Sequence, residues 1–336
     1  MYLSFYGLGE PPFELTSNPR FLFFTPQHRE ALSNLEYGLS SSKALTVLIG
    51  EAGTGKTTLL HAALESERCR GVRTVLLSNP RLTRAEFIET LASQFELGAR
   101  AEQSKASLLE GLETVLRERR RRGEITALVV DEAQSLSNEL LEEVRLLANM
   151  ETPTEKLLPL VLAGQPELAG RLNEPELRQL KQRVALRCQL APLTLQETAA
   201  YISSRIRTAG GETTRLFTRE AVTLIHDHSH GIPRTTSVIC DNALVHGFAL
   251  SKQPVTREIV LDVCRDFDLR GGVPTSSLEN IPAERASSTS AGPVGAAGPE
   301  GHEPRSAASP GGASDPAGGF EKAENRARVL SMLGLR

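Results

Sequence analysis

Short apolar runs alternate with amphipathic stretches from residue 27 to residue 190, and beyond that the short runs stop. Runs of strand length fall at 46–49, 74–77, 126–130, 159–163 and 185–190. Between them, 27–39, 84–96, 104–122 and 138–149 carry apolar residues at helical spacing, as Leu32, Leu35 and Leu39 do in the first. Alternation of this kind predicts a five-stranded parallel sheet covered on both faces by helices. From 195 to 269 only helical spacing remains, at 196–208, 218–229, 234–251 and 256–268, which predicts a small all-helical second unit.

The two ends depart from this pattern. Residues 5–24 mix aromatics with Pro11, Pro12 and Pro19 and are expected to be irregular but packed. Over 271–319, Gly, Pro, Ser and Ala dominate and large apolar residues nearly vanish, so the stretch cannot bury enough surface to fold and reads as a disordered linker. Residues 320–336 regain helical spacing at Phe320, Ala323, Ala327, Leu330 and Leu333. A frayed tail and a tethered docking helix both fit that segment.

Chemistry enters where the first strand ends. Gly50, Glu51, Ala52, Gly53, Thr54, Gly55, Lys56 and Thr57 match the phosphate-loop pattern G-x-x-x-x-G-K-[ST], with a strand before and a helix starting at Thr58 behind. Glycines let backbone N–H groups turn inward around phosphates, and the helix aims its positive end at the same place. Lys56 is placed for the β- and γ-phosphate oxygens and the Thr57 hydroxyl for Mg²⁺. This pattern implies nucleoside triphosphate binding. Downstream, a strand-like run ends in Asp131 and Glu132. Asp131 suits the magnesium, and Glu132 can orient and deprotonate an attacking water. Gln165 stands at the C-terminal end of the fourth predicted strand, where it can sense the γ-phosphate or the water. Arg178, Arg183 and Arg187 crowd the helix–strand junction before Leu190, and Gly231-Ile232-Pro233 precedes Arg234 at a helix start.

Several motifs occur together and in order: Phe5-Tyr6-Gly7-Leu8, Pro12-Phe13, Pro19-Arg20-Phe21-Leu22, the phosphate loop, Asp131-Glu132-Ala133-Gln134, Gly164-Gln165-Pro166-Glu167-Leu168, Gln182-Arg183 and Gly231-Ile232-Pro233-Arg234. In them the chain resembles the AAA+ ATPases of the ExeA-like family (general secretion pathway protein A), whose relatives serve pilus and exopolysaccharide systems. The resemblance spans residues 1–269. It implies ATP as the nucleotide, Walker roles for the loop and for Asp131-Glu132, sensor roles for Gln165 and Arg234, and an arginine finger at Arg183. It also implies a homo-oligomer, because a finger completes a neighbour's site. The expected organisation is a P-loop NTPase domain at 1–194, a helical lid domain at 195–270, the linker at 271–319 and a terminal helix at 320–336. Secretion ATPases of the family continue into a membrane helix and a peptidoglycan-binding domain; here the linker stands instead, so the ATPase role transfers better than the secretion role.

Composition narrows the setting. The net charge of −3 gives no global attraction to nucleic acid or anionic lipid. Cys69, Cys188, Cys240 and Cys264 form no C-x-x-C pair and read as reduced thiols of a cytoplasmic protein. No stretch approaches the roughly 18 apolar residues of a membrane span, and no secretory signal is visible. The expected location is the cytoplasm, or the inner-membrane periphery through a partner of an envelope or secretion system bound by the terminal helix. Arg117, Arg119, Arg120, Arg121 and Arg122 end a predicted helix, where its dipole favours cations. The alternative for that cluster is DNA contact, as in a transposition regulator of the TnsC/IstB type. His226, His228 and His230 lack the further ligands that a zinc site needs.

Overall fold

The computed structural model describes residues 2–15, 19–41, 43–78, 81–98, 100–267 and 269. The linker expected at 271–319 and the helix expected at 320–336 lie outside the described residues. Five parallel strands form one sheet in the order β2-β3-β4-β1-β5: β1 Leu45–Gly50, β2 Val72–Leu77, β3 Ile125–Val130, β4 Leu160–Gly164 and β5 Val184–Leu190. β1 is buried at every position because it lies between β4 and β5 and under helices on both faces. The edge strands alternate in exposure.

The helices interleaved with the strands are α1 (Tyr2–Tyr6), α2 (Pro26–Ser40), α3 (Lys56–Leu64), α4 (Arg84–Gln94), α5 (Arg100–Gln103), α6 (Lys105–Arg121), α7 (Asn138–Leu147), α8 (Pro166–Arg171) and α9 (Arg178–Lys181). Their starts follow local chemistry. Thr25 caps α2 ahead of Pro26, whose fixed φ suits the first turn, and Thr83 with Glu86 forms a capping box on α4. Alternate strand residues feed two cores. Leu45, Val47, Leu128, Val130 and Leu162 face α4, α6 and α7, whereas Leu48, Val129 and Val161 face α2 and α3.

A third core belongs to the helical segment, made of α10 (Leu195–Thr208), α11 (Thr213–Leu216), α12 (Arg219–Ser229), α13 (Pro233–Ala249) and α14 (Arg257–Asp266). It also takes in Tyr6, Leu8 and Phe13 from the N-terminal lead. The lead, expected to be irregular, holds the short helix α1, is turned or irregular over its described residues 7–15, and has a single turn of tight helix at Pro19–Phe21. Its aromatics dock edge-on: Phe5 on Phe248 and Phe13 on Phe217, with centroids 5.5 and 6.2 Å apart. Arg205 of α10 binds the lead by donating to the carbonyls of Pro12 and Glu14 while its guanidinium stacks on Phe21. Among the described residues no helix is long and apolar enough to cross a membrane.

Phe13 is 1% exposed and joins two segments about two hundred residues apart in sequence. Replacing it with alanine is expected to cost about 3–5 kcal/mol, read as a lowered midpoint in a denaturant titration. A midpoint unchanged from the parent would mean that the lead is not part of this core.

Candidate functional site

The C-terminal ends of β1, β3 and β4 lie side by side, and each delivers one part of the site. β1 runs into the glycine loop. Gly53 and Gly55 hold φ of +84° and +98°, which side-chain-bearing residues rarely adopt, so the loop can curl and start α3. At Gly53 space is as tight as conformation: a Cβ there would lie 2.8 Å from the Cβ of Arg234. Lys56 is buried, and its Nζ donates to the carbonyls of Gly50 and Glu51 at 2.9 and 3.1 Å. Burial lowers its pKa, opposed by the charges of Glu132, Asp131 and Glu51. Bound polyphosphate would shift the balance toward the ammonium.

β3 supplies the acids. The Thr57 hydroxyl donates to Oδ2 of Asp131 at 2.6 Å, and the other Asp131 oxygen accepts the N–H of Glu132 at 2.9 Å. A hydroxyl and a carboxylate oxygen converging beside a phosphate loop are the hard oxygen donors that Mg²⁺ takes. Glu132 sits in the left-handed region (φ 54°, ψ 36°), a conformation that costs a non-glycine residue roughly 1–3 kcal/mol. Its Oε2 accepts from Nε2 of Gln134 at 2.6 Å and from Nε2 of Gln165 at 3.3 Å. Gln165 itself follows β4 directly at the N-cap position of α8, with its side chain turned to Glu132 and not to the helix.

The helical segment closes the site from the other side. A cavity of about 400 Å³ lies in front of the loop, with Ala52, Thr58, Glu132 and Arg234 on its wall. That size falls within the range of small-molecule sites. Arg234 begins α13 just after Pro233 and donates its backbone N–H to the Gly53 carbonyl at 3.3 Å. The lead supplies Phe21 and Phe23, and α10 supplies Tyr201 and Arg205. His28 of α2 is buried at the same wall, with Nε2 3.2 Å from the Thr54 carbonyl and Nδ1 2.7 Å from the Thr25 hydroxyl. A carbonyl can only accept, so Nε2 carries the proton and Nδ1 accepts from Thr25. Burial holds this imidazole below its usual pKa.

Thus Lys56, Thr57, Asp131, Glu132, Gln165 and Arg234 come together, but Arg183 does not. Arg183 is exposed and precedes β5. Its neighbour Val184 pairs with Leu45 at the start of β1, about 17 Å along the strand from the loop. From there it cannot reach its own chain's loop. Sequence reasoning did not single out His28, Tyr201 or Arg205, and it gave Gln134 no role. Their only signals were a histidine three residues after a capping threonine and an amide two residues after the acids.

The arginine run is largely compensated. Arg117 pairs with Glu113, Arg121 and Arg122 with Glu118, and Arg120 with Glu155, while Arg119 is buried under Phe95. His226 and His228 bond to the Thr198 hydroxyl and the Leu269 carbonyl, and among the described residues no three or more His, Cys, Asp or Glu side chains cluster as a metal site.

Comparison with known proteins adds three findings. Residues 39–172 match the model of an AAA domain. General secretion pathway protein A of Aeromonas hydrophila is 39% identical over 249 residues, which are 74% of this chain and 45% of that protein. The chain therefore spans less than half of that relative's length. Among solved structures, the Aeropyrum pernix ORC2 protein in its ADPNP-ADP complexes is similar with a TM-score of 0.54 at 15% identity, over 76% of this chain and 71% of that one. Drosophila ORC bound to DNA reaches 0.56 at 21% identity, over 76% and 64%. At such identities the two structures bear on the fold alone.

Gly53→Ala should weaken ATP binding about tenfold or more, since roughly 1–2 kcal/mol of left-handed strain is added to a clash with Arg234. Titration with a fluorescent ATP analogue measures it. Parental affinity would show that the loop tolerates a side chain there.

Proposed function

The chain belongs to the AAA ATPases related to general secretion pathway protein A, and on that premise we propose that it hydrolyses ATP as an oligomeric motor or switch serving an envelope system of the secretion, pilus or exopolysaccharide kind. The observation that carries the hydrolytic reading is the position of Glu132. Its carboxylate lies on the wall of the cavity fronted by the loop, one residue beyond the acid that bonds Thr57. In this reading the loop N–H groups and Lys56 bind the triphosphate, and Lys56 exchanges its two carbonyl acceptors for phosphate oxygens. Thr57 and Asp131 would hold Mg²⁺, which when bound would supply neutralisation of the phosphate charge. Glu132 takes the proton of the attacking water, and Gln165 reports on the γ-phosphate. Arg234 ties the start of α13 to the loop, so residues 195–270 act as a lid that carries the N-terminal lead with it.

Arg183, the arginine finger that the family resemblance implies, would complete the site of a neighbouring copy; it lies at the opposite end of the strands from its own chain's loop. Arginine there would meet the charge that develops on the transferring phosphoryl group. The setting is cytoplasmic or peripheral to the inner membrane through a partner. Duplex DNA remains the second reading in principle, but no observation favours it. Three glutamates face four arginines of the basic run, two of them half-buried, and the fifth arginine is buried.

Two experiments test this. Lys56→Ala should abolish nucleotide binding, whereas Glu132→Gln should keep it and lower turnover by about a hundredfold or more. Unchanged phosphate release from Glu132→Gln would remove the catalytic assignment. In the second experiment, Lys56→Ala and Arg183→Ala proteins, each inactive alone, are mixed. Partial recovery of turnover is expected, because the Lys56→Ala chain lends its arginine to an intact loop next door. No recovery at any ratio would sink the shared site.

A further inference from the structure

Gln134 stands two residues beyond the acids and uses both ends of its amide. Its Oε1 accepts the backbone N–H of Gln165 at 3.0 Å, and its Nε2 donates to Oε2 of Glu132 at 2.6 Å. The backbone N–H can only donate, so the amide orientation is fixed by the network: oxygen toward Gln165, nitrogen toward the carboxylate. A carboxylate at 134 could satisfy the first partner but not the second, and an apolar side chain could satisfy neither. The approach to Gln165 needs Gly164, where an added Cβ would lie 3.0 Å from Oε1 of Gln134.

The loop that carries Gln134 is held from behind. Arg171, at the end of α8, donates to the carbonyls of Gln134 (2.9 Å) and Leu136 and bonds the Asn138 side chain. Residues 134–138 are thereby fastened to the same short helix that Gln165 opens. Both donors to Glu132 reach one oxygen, Oε2, and no donor among the described residues reaches the other. The carboxylate is pinned on one side and open on the other, as a base aimed at a water must be.

We propose that Gln134 is a positioning residue for hydrolysis, tying the carboxylate of Glu132 to the backbone at the end of β4. The inference rests on Glu132 being the base. It adds that the aim of Glu132 is set by an amide on its own loop and persists when the Gln165 side chain turns to a γ-phosphate. Because Gln134 does not itself line the cavity and reaches it only through Glu132, its loss acts on the chemical step and not on nucleotide binding.

The test uses the full chain with saturating Mg²⁺ and ATP, following phosphate release, affinity for a fluorescent ATP analogue, and the melting temperature. Gln134→Met keeps the length and removes both hydrogen bonds, and Gln134→Glu keeps the acceptor for Gln165 while facing Glu132 with a like charge. In both, kcat is expected to fall about tenfold to a hundredfold, the scale of a misplaced reacting group, with KM and nucleotide affinity within about twofold of the parent. A kcat within about twofold of the parent in Gln134→Glu would overturn the proposal. So would affinity falling in parallel with kcat in both variants, or failure of both to fold, either of which makes Gln134 a scaffold residue. Glu132→Gln measured alongside separates the two levels: undiminished turnover there removes the base itself, whereas a collapse there with active Gln134 variants removes only the present inference.

Discussion

The hydrogen bond from Thr57 to Asp131 is the contact on which the remaining geometry depends. It joins the first turn of α3 to the end of β3, two places separated by seventy-four residues in sequence. The bond exists because β1 and β3 are parallel and flank β4 in one sheet, so their ends open on the same edge. Were either strand reversed, the loop and the acids would face opposite ends. Burial fixes the register as well, since β1, β3 and β4 alternate between two filled cores and a one-residue slip would exchange every side chain between faces.

From that edge the site is assembled in layers. Glycines at left-handed φ form the loop, β3 delivers the acids, and β4 delivers Gln165. The helical segment and the N-terminal lead then provide the remaining wall of the cavity. The lead shares a core with the helical segment and passes into α2 through Thr25 and His28, and His28 touches the loop carbonyl of Thr54. Movement of the helical segment therefore has two mechanical routes to the loop, through Arg234 and through the lead.

Much of this was legible in the sequence. The strand periods, the loop pattern and the acid pair depend on neighbours within a few residues, and the order of motifs carried the family. The sheet's five strands fall where the apolar runs predict them, with β2 starting two residues earlier than expected. What the sequence left unreadable depends on contacts between distant segments. No local pattern tells that Phe13 packs on Phe217, that Arg205 holds the lead, or that Gln134 bridges two strand ends. Within the arginine run, Arg117, Arg121 and Arg122 have glutamate partners three or four residues away, but Arg120 and its partner Glu155 are thirty-five residues apart. Only the fold brings them together.

In the proposed reading, a second copy completes the ATPase site of this chain. The most direct measurement is phosphate release per chain at saturating Mg²⁺ and ATP across a wide range of protein concentration. If a second copy completes the site, turnover per chain rises with concentration and levels off as copies associate. Turnover per chain that stays constant across the range, or its absence at every concentration, would contradict that reading.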